Sequence, residues 1–298
     1  MTRRGLLLFA AMCVIWGIPY LFIKIAVRDL SPATLVWSRN LLAALLLLPL
    51  AAWRNELRAV LPRWKPLVLF AAIEIGIPWL LLASAEQKLS SSLTALLIAA
   101  VPLIGVLLAL GTGSRDRLGG SALAGLVVGL VGVAALVGLD TGGADARSIV
   151  EVFGVAFCYA LGPLILDRYL SGLPALGVIA LSLSLCAIAY TPAGILRLPS
   201  SSPGPEVIVS VLVLAFVCTA LAFVLFFQLI AEEGPVRATV ITYVNPAVAA
   251  IAGVALLGES FTAGMGVGLV LILAGSALAT RRPRPAETFA VQPAPEAP

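Results

Sequence analysis

Histidine is missing from all 298 positions of this chain. Its absence excludes a Ser-His-Asp triad, an H-E-x-x-H metalloprotease and a histidine-ligated haem. Cysteine is scarce as well. Cys13, Cys158, Cys186 and Cys218 stand far apart, which excludes a disulfide framework and a clustered zinc site. Each falls in an apolar stretch and reads as a small apolar residue. No G-x-x-x-x-G-K-[ST] segment occurs, so the chain has no phosphate loop with which to hydrolyse ATP. Charged residues make up 11% of the chain, against about a quarter in soluble domains. Apolar residues make up 61%, and the mean hydropathy is +1.09. An integral membrane protein is what remains.

A helix that crosses the hydrocarbon needs roughly 20 mostly apolar residues. Ten such stretches are read at 5–26, 33–53, 67–86, 93–112, 120–139, 149–168, 174–195, 206–228, 237–257 and 264–280. The loops between them are too short for an extramembrane domain, so function has to reside within the bundle. Runs such as Leu41–Leu50 and Leu123–Leu139 lack the dyad alternation of a membrane β-barrel. Arg3 and Arg4 precede the first run as they would in a signal peptide. Apolar character persists to about Ile23 with no small-residue cleavage site, so the run reads as the first span.

With the N-terminus inside, thirteen Lys and Arg fall on the inner side, among them Arg54, Arg58, Arg63, Lys65, Arg115 and Arg117. Four fall outside: Arg28, Lys88, Arg147 and Arg197. That bias places both termini in the cytoplasm and demands an even number of spans. The net charge of +4 is therefore a topology signal. No basic face interleaved with exposed aromatics points to nucleic acid. Trp37, Trp53 and Trp64 sit at span boundaries as anchors to membrane lipid. Residues 281–298 open Arg-Arg-Pro-Arg-Pro and continue rich in Pro and Ala, the composition of a disordered cytoplasmic tail. Sixteen Arg against three Lys suggest a GC-rich bacterial genome, and with it an inner-membrane location.

Shifting the chain by 143–144 residues aligns Trp16 with Tyr159, Lys24 with Asp167, Pro49 with Pro192, Pro102 with Pro246 and Gly120 with Gly264. The chain divides into residues 1–143 and 144–280, with five spans in each half. An odd number of spans inverts the second half relative to the first, an arrangement of secondary transporters whose site lies near the midplane. The expected fold is an all-α membrane protein of ten transmembrane helices in two inverted five-helix repeats.

Ile15-Trp16-Gly17 with Lys24, Pro32 and Arg39 resembles the first-repeat signature of EamA-type transporters, ten-helix members of the drug/metabolite transporter superfamily. Asn245-Pro246, Leu257-Gly258-Glu259 and a glycine-bearing last span resemble the end of their second repeat. The resemblance covers about residues 5–280, with one departure: the first-half position matching Glu259 is Arg115. It implies a basket of ten helices, both termini inside, that exports small metabolites. Its nearest branch by general look is that of amino-acid exporters, including those for aromatic residues.

Arg39 and Glu74 fall inside spans, where a charge costs at least a few kcal/mol. Either they neutralise each other as a structural pair, or Glu74 meets the ammonium and Arg39 the carboxylate of an amino acid. Glu74 is alternatively a proton-coupling carboxylate. Glu86 and Glu151 fall near outer helix ends and read as interfacial. Trp16, Tyr20 and Lys24 share one face of the first span, and Tyr159 is the repeat-mate of Trp16. Trp79 lies about 140° around an α-helix from Glu74 and is left off the site.

Pro19, Pro78, Pro102, Pro163 and Pro246 each interrupt a span and free the carbonyl four residues earlier, as hinges or static kinks. On the ninth span Thr239, Thr242, Tyr243 and Pro246 share a face. Asn245 lies off that face and suits a helix–helix hydrogen bond. Gly125-x-x-x-Gly129 and Gly264-x-x-x-Gly268 suit close packing, within the bundle or between copies.

The function expected is a secondary transporter exporting small metabolites, chiefly amino acids of broad side-chain type, by alternating access. Its substrate would meet Trp16, Tyr20, Arg39, Glu74, Tyr159, Thr242 and Tyr243. A carrier of cationic drugs or nucleotide-sugars is the alternative. The chain shows no nucleophile with a base and no clustered acids, so no enzyme, cofactor or metal is expected. The partners are a small-molecule substrate and membrane lipid. A monomer is expected, with a dimer left open.

Overall fold

The computed structural model describes residues 1–111, 120–140, 145–238 and 240–280. Among them no strand occurs. The first half folds into α1 (Arg3–Ala26), α2 (Pro32–Trp53), α3 (Leu57–Ala85), α4 (Ser91–Leu108) and α5 (Gly120–Asp140). The second half gives α6 (Ala146–Leu170), α7 (Ala175–Leu196), α8 (Pro205–Glu233), α9 (Ile241–Leu257) and α10 (Ala263–Ala279). Helices α1–α4 and α6–α8 are long and apolar enough to cross a membrane, seven in all. The described core of α5 (Leu123–Val137), α9 and α10 are apolar but shorter. Arg115, Thr239 and the 281–298 tail lie outside the described residues.

Helix α3 begins ten residues before the apolar stretch expected at 67. Leu57–Val60 and Leu61–Arg63 already form helical turns, with Arg58, Arg63 and Trp64 exposed. Basic and tryptophan side chains suit the membrane interface, where a helix runs on beyond the hydrocarbon. Apolarity alone marks only the hydrocarbon part. Starts elsewhere are set by side-chain caps: Ser31 Oγ accepts from Thr34 N–H, Ser90 Oγ from Leu93 N–H and Thr262 Oγ1 from Met265 N–H, each at 3.1 Å.

Repeat-related helices pack antiparallel. Along α2 and α7, Thr34 Oγ1 donates to the Gly194 and Arg197 carbonyls at 3.1 and 3.0 Å, and Trp37 Nε1 donates to Thr191 Oγ1 at 3.1 Å. Along α5 and α10 the seam is made of glycine. Gly125 faces Leu278 and Ala279, Gly129 faces Gly275, Gly132 faces Leu271 and Ile272, and Gly268 faces Leu136. Without Cβ atoms the two backbones meet directly. The Gly125-x-x-x-Gly129 spacing is thus used inside the bundle.

Five irregularities interrupt the rods. Helix α1 breaks at Trp16–Ile18, just before Pro19, and α4 breaks at Ala99–Ala100, just before Pro102. Wide π-turns occupy Ala71–Gly76 in α3, before Pro78, Val213–Leu221 in α8 and Leu166–Leu170 at the end of α6. Shifted by 144, Ala71–Gly76 falls inside Val213–Leu221, so the third helix of each repeat widens at the equivalent place. Pro163 and Pro246, by contrast, sit inside continuous helix. Neighbours answer some of the carbonyls left over at these points. Cys186 Sγ donates to the Ala71 carbonyl at 3.4 Å and Tyr190 Oη to the Gly76 carbonyl at 3.0 Å. The Asn245 amide reaches the Cys13 carbonyl beside the α1 break at 3.1 Å, the helix–helix bond that suits it.

Candidate substrate site

Arg39, seven residues into α2, is 7% exposed. Its guanidinium carbon lies 3.7 Å from the centroid of the Trp79 ring. A cation over a desolvated indole gains about 2 kcal/mol. Its Nε donates to Thr219 Oγ1 at 2.9 Å, and that hydroxyl donates onward to the Leu214 carbonyl at 2.8 Å inside the wide turn of α8. Tyr20, Tyr159, Cys218 and Glu86 are its electrostatic neighbours. Three residues picked out by the sequence, Tyr20, Arg39 and Tyr159, therefore come together, and Trp79 and Thr219 join them.

Glu74 is not the partner of Arg39: among the described residues no ion pair joins them. One of its carboxylate oxygens is buried without a hydrogen bond and rests on Gly162 of α6, where any side chain would collide with it. Tyr159 lies within electrostatic range of both Arg39 and Glu74, and its hydroxyl sits against Trp79. The exclusion of Trp79 fails because the backbone between it and Glu74 is not plain α-helix. Within Ala71–Gly76 the bonding is i to i+5, as from Ile77 N–H to the Ala72 carbonyl. Each residue of the wider turn rotates the chain by less than the 100° of an α-helix, so the angle from Glu74 to Trp79 closes, and both lie within range of Tyr159.

Trp16 caps the broken end of α1 and packs on Phe226 and Phe223, with centroids 4.6 and 5.9 Å away. The repeat offset carries Trp16 to Tyr159 and Trp79 to Phe223. The contacts Trp16–Phe223 and Tyr159–Trp79 are therefore repeat-related. The charges do not share this symmetry: opposite Arg39 and Glu74 stand Ser182 and Cys218. Thr242 and Tyr243 lie elsewhere, at the start of α9. Thr242 is exposed, and the Tyr243 hydroxyl bonds Thr280 Oγ1 at 3.1 Å.

The face where α1 begins and α8 ends holds the contacts of Thr2 with Glu232 and Glu233, at 2.6 and 2.8 Å. A cavity of about 370 Å³ opens there, lined by Arg4, Arg54, Phe227 and Gln228 among others. A cavity of about 530 Å³ lies toward the opposite, far face beside Trp37 and Pro199–Pro203. Arg39 lines neither.

The far face is tied by two charged residues. Lys24 Nζ donates to the carbonyls of Glu86 and Leu89 at 2.6 and 2.7 Å, joining α1 to the end of α3. Glu259 Oε1 accepts from Ser91 N–H at 2.7 Å, and Oε2 accepts from the N–H and Oγ of Ser92 at 2.9 and 2.6 Å. With Ser90 taking Leu93 N–H, the opening amides of α4 are answered one after another. Gly258, at φ 66°, turns the chain so that Glu259 reaches back, and Gly253 leaves room for the carboxylate and both serines. Burial raises the Glu259 carboxyl, but the serine hydrogen bonds outweigh it and hold the group below its ordinary range. Glu86, read from the sequence as interfacial, is instead 0% exposed. Lys24 holds its backbone carbonyl, and Glu259 and Arg39 are its other charged neighbours.

The sequence profile of the EamA-like transporter family matches residues 3–138 and again residues 147–281. One solved crystal structure is similar at a TM-score of 0.66 and 20% identity, covering 93% of this chain and 96% of that one, a likeness of fold alone. Comparison with curated proteins finds no significant match.

Proposed function

The chain belongs to the EamA-like transporter family, and on that premise we propose that it exports amino acids of varied side chain by alternating access across a bacterial inner membrane. Membership makes it a multi-pass membrane transporter of small molecules. The amino-acid reading is carried by Arg39, a buried cation with no carboxylate partner among the described residues. A buried charge left unpaired is costly, and a cargo carboxylate relieves that cost. Arg39 presents a planar fork suited to such a group. Glu74 offers the opposite sign within electrostatic range of the same Tyr159. Aromatic walls then accept side chains by contact area rather than by matched hydrogen bonds.

Transport into proteoliposomes tests this. Several aromatic and aliphatic amino acids should inhibit one another within about a factor of ten, or about 1.4 kcal/mol. One amino acid excluding the rest a thousandfold would refute broad specificity. Cationic drugs moving while amino acids stay inert would replace the reading altogether.

In this proposal ten helices cross the membrane, both termini are cytoplasmic and the far face is periplasmic. Reporter fusions at Pro298 and within Ser200–Pro203 should then report opposite sides. Agreement between them would end both the ten-span count and the inverted repeat.

A further inference from the structure

Glu86 follows the last residue of α3 and begins the connection to α4. It is fully buried, and neither carboxylate oxygen has a hydrogen bond. An ion held this way loses its hydration with nothing in return, whereas the neutral acid loses far less. The charged or titratable groups facing it are Lys24 and Tyr20 from α1, Arg39 from α2 and Glu259 from the α9–α10 connection. On the α6 side the cover is apolar: Val152 packs with Ala85 and Leu89, and Glu151 is tied to Arg147 at 3.0 Å. Lys24 is the nearest counter-ion by type, yet it spends two donors on backbone carbonyls. Burial pushes the Glu86 carboxyl well above the usual range; Glu259 adds to this, and Lys24 and Arg39 oppose it only in part.

The same segment holds the far face together. Lys24 grips it at residues 86 and 89, and Glu259 at residues 91 and 92. Glu86 is the buried floor between the two grips. Parting them would return its carboxylate to water.

We propose that Glu86 is a proton-binding site of far-face closure: closing takes one proton from the outer solution onto a Glu86 carboxylate oxygen, and opening returns it there. One O–H bond forms on closing and breaks on opening, and no other bond changes. The inference rests on the alternating-access reading. Because the group binds its proton more tightly when closed, closure is favoured at low pH and lost as pH rises through the raised value. Between the ordinary carboxylate range and that value, the closed-to-open ratio falls about tenfold per pH unit.

The test is the distance between nitroxides placed by Gln87→Cys and Ser260→Cys, both exposed positions, in the full chain in nanodiscs across a pH series. The wild-type background should gain a longer distance as pH rises. Glu86→Gln should stay closed throughout, and Glu86→Asp should keep a pH response. Titration of Glu86→Gln like wild type would overturn the proposal, as would a distance that answers phenylalanine but not pH. A distance that answers neither would also remove alternating access at this face. Should Glu86→Gln not fold, Glu86→Asp decides alone: a displaced midpoint supports the site, and an unchanged one overturns it.

Discussion

Arg39→Gln is expected to lower transport at limiting substrate roughly a hundredfold, equivalent to about 3 kcal/mol of lost charge-assisted hydrogen bonding, while leaving a folded protein. The reason lies in what Arg39 touches. Its partners are a hydroxyl and an indole face, so its removal strands no buried countercharge. Thr219 keeps its bond to the Leu214 carbonyl. Glu74→Gln is expected to behave alike, since the buried carboxylate oxygen has no partner to lose. The decisive measurement sets both single variants beside the double one, scoring membrane yield and transport together. In a structural ion pair each single change strands a charge and the double restores the protein. Here the double variant should be as well folded as the singles and as inactive. Arg39→Lys should recover little, because an ammonium keeps the charge but not the fork. Restored transport in the double variant would sink the reading.

The other large effect falls on stability. Gly275→Ala places a Cβ against the amide nitrogen and Cα of Gly129, which have no rotamer to swing aside. Helices α5 and α10 must part along a seam that also includes Gly125, Gly132 and Gly268. The expected cost is about 2 kcal/mol or more, in the range of core overpacking, read as a lower melting temperature and less monodisperse protein. Gly105→Ala is the control. Nothing approaches that position on α4, and alanine favours helix over glycine by about 1 kcal/mol, so it should be neutral or stabilising. Equal losses for the two substitutions would show that the seam is not held by glycine.

The helices and the duplication were legible in the sequence because both are written in long apolar runs and a shared offset. Arg39 and Glu74 were legible for the same reason, as charges stranded in such runs. Trp79 was not. Its exclusion assumed 100° per residue, and Ala71–Gly76 does not keep that pitch. A π-turn is one extra residue in a turn, and composition carries little trace of it. Thr219 was missed because a lone threonine in an apolar helix has no pattern of its own. The signal that would have found it is its place next to Cys218, the repeat-mate of Glu74. Glu86 was misread because position along a helix says nothing about what the next loop covers. Tyr243 shows the converse, since a face shared at helical spacing fixed its direction but not its depth: it sits in the first turn of α9, bonded to Thr280.

Glu259 fastens the second repeat to the first by closing the end of a helix, and such a fastening comes apart differently from a packed interface. Only one carboxylate has to leave the space beside Gly253, and neither helix has to unwind. The amides of Ser91 and Ser92 exchange a carboxylate for water, and a cap of this kind is worth about 0.5–2 kcal/mol. Thermal motion supplies that much readily. Its grip is set by which acceptor the amides prefer, so it depends on the solution bathing that face, whereas the glycine seam between α5 and α10 depends on shape. The molecule is thus riveted along one pair of helices and merely buttoned at another.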